Sequence, residues 1–406
     1  MSCKHSNKPA RQAADGFWQL VAAGEPFRLL FPLGAAIGVF GVLMWPLYVW
    51  KINPVYPGPY HARVMIEGFL TAFVFGFLGT ALPRMLDVPR FTLAETLGFA
   101  GALIGITCLH GTGQTHWGDL LFLFTVLALL GVLGTRALLF RKDVPPPGFV
   151  LVPVGLGCAL FGSATQIIAQ VSGSALPEWM PRLGRLLLHQ GYLVFPIMGV
   201  GAFLFPRFFD LPNRQSFPES LRPPPGWRER ARFALFSGAL VMAGFVLETA
   251  DAPRIGNGLR AIGFLIYFLR EVPLYRSGLG GGSLALGLRL AVFSIPLAYA
   301  LMAVWPDRTF SLLHLLFISG FSLVLFIVAS RVVLGHSGQA DKFGARLRPV
   351  LILAVLVALA MLTRVSADWM PAIRLGHYAY AALAWAAGVL VWSFTILPGV
   401  RHADED

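Results

Sequence analysis

Nine histidines stand in this 406-residue chain. His5 and His402 lie in the tails, and the other seven lie in or beside apolar runs. By the topology argued below, His61, His110, His116, His189, His314 and His377 fall on the outer side of a membrane and His336 on the cytoplasmic side. Neutral imidazole is the commonest metal ligand among side chains and a common axial ligand of haem iron. A lone membrane histidine often does no more than bond a backbone carbonyl or a nearby hydroxyl. Six on one side point instead to a shared centre held by imidazoles from separate helices; His189, His314 and His377 each lie about two turns, of order 10 Å, inside a helix. His61 and Met65, at i and i+4, share a helix face, and imidazole with a thioether suits a soft ion such as Cu(I). His110 and His116 join this candidate metal set, although a helix end and a short loop would serve an anchoring or solvated imidazole equally well.

Glu67 is the carboxylate best placed to carry protons inward from the outer face, because an ionisable side chain inside a membrane span is costly and by default functional. The plainer reading is that Arg63 and Glu67, also i and i+4, cancel within one helix. Arg182 and Arg308 lie on the outer side and are candidates to hold carboxylates of a bound cofactor. Arg84, Arg207 and Arg331 lie on the cytoplasmic side and read as topology determinants. Glu248 and Asp251 read as interfacial, and Arg270 with Glu271 as snorkelling groups.

The elements that must position these groups follow from composition. The chain is 56% hydrophobic and 13% charged, against about 25% charged in soluble proteins. That excludes a soluble domain, a disordered chain and a secreted disulfide scaffold. Of its three cysteines, Cys108 and Cys158 sit inside apolar runs, where a free thiol packs as a small hydrophobe. No phosphate-binding loop, dinucleotide fingerprint, CxxCH or HExxH pattern is present. The net charge of +12 reads as membrane topology rather than nucleic-acid binding.

Apolar runs and their Pro and Gly breaks predict an all-α polytopic membrane protein of about twelve helices, at roughly 27–50, 62–82, 92–110, 117–140, 149–171, 183–205, 231–250, 257–274, 284–305, 310–334, 347–366 and 372–397. Lys and Arg concentrate about threefold in the tails and alternate loops, which places both termini in the cytoplasm. Residues 1–26 and 398–406 then form cytoplasmic tails about a transmembrane body over 27–397, and the first helix is expected to be uncleaved. The segment Pro83-Arg84-Met85-Leu86-Asp87-Val88-Pro89 is echoed by Pro206-Arg207-Phe208-Phe209-Asp210-Leu211-Pro212, and more weakly by Ser330-Arg331-Val332-Val333, so the arginines recur about every 124 residues. His61, His189 and His314 open the same three helices. The pattern predicts three four-helix units, roughly 27–140, 149–274 and 284–397.

Several stretches together resemble the NnrS family of haem- and copper-containing membrane proteins linked to nitric oxide response in bacteria. They are Pro26-Phe27-Arg28, Tyr60-His61-Ala62-Arg63-Val64-Met65, Gly76-Phe77-Leu78-Gly79-Thr80-Ala81-Leu82-Pro83, and Arg331-Val332-Val333-Leu334-Gly335-His336-Ser337-Gly338. The last is the most specific and adds His336 to the candidate cofactor ligands, with His61, His189, His314 and His377. Arg63 and Val64 stand where the family usually has a second His and a Glu, and Gln339 where it has Arg. The resemblance implies haem b, copper as a second metal with altered chemistry, nitric oxide as the small-molecule partner, and the bacterial inner membrane. If the chain is an enzyme, it would reduce nitric oxide at an outer-side centre, with electrons from quinol or another respiratory donor and protons through Glu67. The competing readings are a twelve-helix secondary transporter without a redox cofactor and an assembly scaffold for a respiratory complex.

Overall fold

Among the described residues eleven helices are long and apolar enough to cross a membrane, and a twelfth of similar length carries the charges that set it apart. The computed structural model describes residues 16–172, 176–278 and 280–403; Cys3, Lys4, His5, Lys8 and Arg11 of the N-terminal tail lie outside the described residues, as do the last three residues of the C-terminal tail. In chain order the helices are α1 (Phe27–Val49), α2 (Gly58–Met85), α3 (Leu93–Gly111), α4 (Thr115–Leu139), α5 (Pro147–Ser172), α6 (Trp179–Phe208) and α7 (Trp227–Thr249), then α8 (Pro253–Glu271), then α9 (Gly282–Val304), α10 (Pro306–Gly335), α11 (Arg348–Trp369) and α12 (Pro371–Arg401). Helix α8 contains Arg254, Arg260, Arg270 and Glu271, which is why it is of spanning length yet too polar to count with the other eleven. Part of the expected N-terminal tail is structured: Phe17–Ala22 forms a short helix that buries Leu20 and Val21.

Burial separates central from peripheral helices. In their most apolar windows 89% of α2 and of α6 and 72% of α10 is buried, against 28–61% for the other eight spans. Helix α4 packs on α5, α8 on α9, and α12 back on α1. The outer helices therefore close a ring around α2, α6 and α10, the second helix of each unit. Lipid gives no hydrophobic push between helices, so close packing must hold them. Between the first and third units it comes from aromatic rings: Phe73 meets Phe326 at 5.3 Å, and Phe69 meets Trp385 at 5.3 Å and Phe326 at 5.7 Å. The indoles stay satisfied, with Trp392 Nε1 donating to Ser330 Oγ at 2.7 Å and Trp385 Nε1 to Ser322 Oγ at 3.1 Å.

The repeat is visible atom by atom. Asp87 and Asp210 both adopt a left-handed conformation, at φ 48° and 52°. The residue after each closes the same bond, Val88 N to Pro83 O and Leu211 N to Pro206 O, both at 3.0 Å. In the third unit the helix runs one turn further before Gly338 takes the left-handed position at φ 67°, and Gln339 N bonds Leu334 O at 2.9 Å. Each central helix also widens into a π-helical stretch, Val64–Leu70, Leu187–Gly191 and Leu315–Ser322. His61, His189 and His314 lie within or next to these stretches, and such widenings are frequent at functional sites.

Each π stretch contains a glycine pressed on the first helix of its own unit. A Cβ at Gly68 would come within 2.8 Å of Ile37, one at Gly191 within 3.0 Å of the Cys158 sulfur, and one at Gly320 within 2.9 Å of Ile295. Overpacking at such contacts costs about 1–3 kcal/mol. Gly68→Val is therefore expected to lower the thermal midpoint of the detergent-solubilised protein. Gly98→Ala, with nothing within 4 Å of the new Cβ, should leave it unchanged; equal midpoints for both variants would contradict the packing described.

Candidate functional site

His61 sits in the first turns of α2, just after Pro57, Gly58 and Pro59 start the helix. Its Nδ1 lies 2.9 Å from the Gly41 carbonyl of α1. His314, in α10, places Nδ1 3.0 Å from the Phe310 carbonyl one turn back. A carbonyl only accepts, so each Nδ1 carries the proton and donates. The neutral rings then present Nε2 as a bare lone pair, and neither Nε2 has a hydrogen-bond partner among the described residues. Anchoring one ring nitrogen to leave the other free is how ligating histidines are oriented. Aromatic contacts link the two rings to one buried arginine: His61 meets Trp45, which meets Tyr378 at 4.9 Å, His314 meets Phe310 at 5.6 Å, and Tyr378 and Phe310 both cover Arg364. Met65 shares the His61 face as its spacing predicts, and that face packs on α1: a Cβ at Gly41 would lie 2.8 Å from the Met65 sulfur.

Beside this pair a cavity of about 330 Å³ opens on the outer side, lined by Tyr56, Arg308, Phe310, Asp368, Arg374 and Tyr378 among others. Trp45 bridges the two, edge-on to His61 at 5.9 Å and to Tyr378 at 4.9 Å. His377 precedes Tyr378 in α12, and its buried Nδ1 has no partner among the described residues. Arg308 stays available at the rim, donating to the Asp368 carbonyl at 3.1 Å. Arg182, the other arginine expected to hold a cofactor carboxylate, is paired with Asp251 at 2.9 Å.

A second polar cluster occupies the outer half of the first unit. Glu67 Oε2 lies 2.9 Å from His110 Nε2, and Asp119 Oδ1 lies 3.9 Å from the same nitrogen. Arg63 grips Asp119 with two nitrogens at 2.8 and 3.2 Å, and Gln170 Nε2 donates to it at 2.6 Å. His110, Glu67 and Asp119 are buried. The expected Arg63–Glu67 pair within α2 is thus replaced by two pairs between helices, because Asp119 on α4 and His110 on α3 offer each group a partner of its own. His110 is no interfacial anchor: its ring presses on Gly118, where a Cβ would lie 2.4 Å away. His189 lies in the π stretch of α6, two residues before Gly191, which packs on Cys158 of α5. His116, one turn before Asp119, has a buried Nδ1 without a partner among the described residues. The outer histidines therefore fall into two groups rather than one pocket. Asp119, the centre of the second, was missed in the sequence; an acid inside an apolar run was the available signal.

The second unit carries a comparable cluster. Buried Arg260 pairs with Glu248, donates to Gln190 at 3.1 Å, and lies over the Phe245 ring at 4.7 Å. Glu248 is thus tied to α8 rather than merely interfacial. At the other end of α8, buried Glu271 binds Arg230 at 2.9 Å and Gln215 at 2.7 Å instead of snorkelling.

His336 stands apart. It caps α10 at the end opposite His314, about 30 Å away along the helix. Its Nδ1 lies 2.9 Å from Glu25, and Arg84 approaches its ring at 3.1 Å. Arg28 ties the group together, bonding the carbonyls of His336 at 3.0 Å, Val400 at 2.7 Å and His402 at 2.8 Å. The network fastens the chain start, the end of α2, the end of α10 and the C-terminus.

Two measurements check these networks. Burial would raise the Glu25 carboxyl, but the hydrogen bond to His336 and the charges of His336 and Arg28 outweigh it and hold the group at about 2, below its ordinary 4.5. A carboxyl depressed in the folded state stabilises the fold above its unfolded value and loses that contribution as pH falls. Wild type should be more stable than Glu25→Gln at neutral pH, and the gap should close between about pH 4.5 and 2. For Asp119, leaving a buried charge alone costs about 3–5 kcal/mol. Arg63→Met should then destabilise strongly and Arg63→Met with Asp119→Asn much less; additive effects in thermal unfolding would refute the pairing.

No curated protein matches this chain. The family model described as NnrS protein matches residues 22–402. That span takes in helices α1 to α12 and the polar networks described above, and the chain belongs to the NnrS family.

Proposed function

We propose that this chain is a haem-binding protein of the bacterial inner membrane, with both termini in the cytoplasm, that handles nitric oxide at a histidine-ligated centre on its periplasmic side. The observation that carries the reading is the pair His61 and His314. Two imidazoles from the second helices of the first and third units are each fixed through Nδ1 and left open at Nε2, beside a cavity of about 330 Å³. These donors fit haem b, and Arg308 lines the same space. Bound haem would supply an iron that coordinates nitric oxide and exchanges electrons. The protein's own part is to orient the ligands, line the site with Trp45, Tyr56 and Tyr378, and keep it among membrane helices, where an uncharged, lipid-soluble gas arrives.

Copper fits less well. The buried set of Glu67, His110 and Asp119 has donor atoms within 4.8 Å of one another, but Arg63 and Gln170 already occupy both Asp119 oxygens. The cation in that position is a guanidinium. Response to nitric oxide and its detoxification need only access of the gas to the centre. Reduction would further need electrons from quinol or another respiratory donor, and protons, for which Glu67 with His110 forms a buried carboxylate–imidazole pair.

A pyridine haemochrome assay with metal analysis tests the reading. The purified protein should contain b-type haem, and nitric oxide should shift the absorption of the reduced form. His61→Ala and His314→Ala should each lower haem content at least tenfold, whereas His336→Ala should not. Colourless protein from cells supplied with haem would overturn the proposal and favour a transporter or scaffold.

A further inference from the structure

Arg364 lies two turns from the outer end of α11 and is only 5% exposed. Its guanidinium is sandwiched by the Tyr378 ring at 4.0 Å and the Phe310 ring at 5.3 Å. Neither terminal nitrogen makes a hydrogen bond among the described residues. The nearest carboxylate, on Asp368, stays at 3.8 Å, because its oxygens are taken by the hydroxyls of Ser311 and of Tyr378, the latter at 2.9 Å. A buried guanidinium with unused donors is costly, since each lost hydrogen bond leaves a desolvated group without compensation.

The other two units each hold an arginine whose donors are met. Arg63 is gripped bidentately by Asp119, and Arg260 is held by Glu248 and Gln190. Arg364, on α11 of the third unit, also stands beside an acid, Asp368, and is left open. Its neighbours Phe310, Asp368 and Tyr378 line the outer cavity, and the two rings that cover it lead to the histidines, Phe310 packing on His314 at 5.6 Å and Tyr378 on Trp45, which meets His61. Arg308 and Arg374 line the cavity with Asp307 and Asp368, so with Arg364 the local balance is one positive charge.

We propose that Arg364, with Arg308 and Arg374 at the rim, is a receptor for an anion, best matched by a carboxylate, seated between the outer cavity and the two open histidines. A planar guanidinium recognises a carboxylate by two parallel hydrogen bonds. Two sources share this chemistry: a propionate of haem, which rests on the function proposed above, and a small free anion from the outer compartment, which does not.

The test uses detergent-purified full-length protein, wild type and the variants Arg364→Gln and Arg364→Lys. Haem release is followed by transfer to excess apomyoglobin, and sodium formate is titrated with thermal stability as the readout. If the anion is a propionate, Arg364→Gln releases haem at least tenfold faster while its two-histidine spectrum before release is unchanged. If it is free, formate raises the midpoint of wild type and not of Arg364→Gln, and haem release is unaffected. Should the Gln variant fail to fold, the Lys variant, which keeps the charge and loses the fork, must lower one of the two responses at least threefold. Unchanged haem release together with no formate effect in wild type overturns the proposal. Wild type that holds no haem yet responds to formate through Arg364 sinks the haem reading and leaves the anion site standing.

Discussion

A charge buried among membrane helices must find its partner on another helix, because lipid offers neither water nor counter-ions. This constraint organises the outer half of the molecule. Arg63 reaches from α2 to Asp119 on α4, and Arg260 joins α8 to Glu248 on α7 and Gln190 on α6. Each pair stitches helices that the sequence separates by a loop. At the opposite end of the helices Arg28 and Glu25 do the same, reaching the end of α10 and the carbonyls of Val400 and His402. The charges that made α8 too polar for an apolar span are the ones these networks use.

The central helices obey a different requirement. They are buried on nearly all sides, so their neighbours must come very close, and glycines in the π stretches permit it. A π turn also rotates the side chains that follow it relative to those before it. In α2 this lets His61 face α1 while Glu67, six residues on, meets His110 of α3. The same widening recurs at His189 and His314. Packing and site geometry are therefore one problem: the turn that brings the helix against its neighbour also aims the polar groups.

How much of this a sequence displays depends on how local the cause is. Apolar length and proline breaks are local, and they placed the helices closely; the repeat was legible because Pro83-Arg84 to Asp87 and Pro206-Arg207 to Asp210 encode the same left-handed helix end. The histidines at the starts of α2, α6 and α10 were legible as chemistry for the same reason. Their grouping was not, because it is set by which faces of separate helices meet. The i, i+4 spacing of Arg63 and Glu67 suggested a pair, yet Asp119 lies 56 residues from Arg63 and forms the stronger fork. Arg364 carries no local signal in the sequence, standing near the end of an apolar run. Only the rings of Phe310 and Tyr378, from two other helices, turn it into a buried guanidinium.

The third unit differs from the other two in how it treats an arginine. Arg63, Arg260 and Arg364 stand on the second, fourth and third helices of their units, yet a purely structural arginine is under the same demand at each place: to satisfy its donors. The first two units meet that demand with side chains of their own, which uses up the polar groups there and leaves no unpaired terminal guanidinium nitrogen on Arg63 or Arg260. In the third, Ser311 and Tyr378 draw the Asp368 carboxylate away from Arg364. The cavity lies against that side, lined by Phe310 and Tyr378, and the open Nε2 atoms belong to His61 and His314, which pack on Trp45 and Phe310. Unmet hydrogen-bonding capacity, free lone pairs and free volume coincide at one junction of the ring, between the first and third units. Stability alone would select against each of the three, and a bound guest with a ligand-seeking centre and an acidic edge would satisfy all of them together.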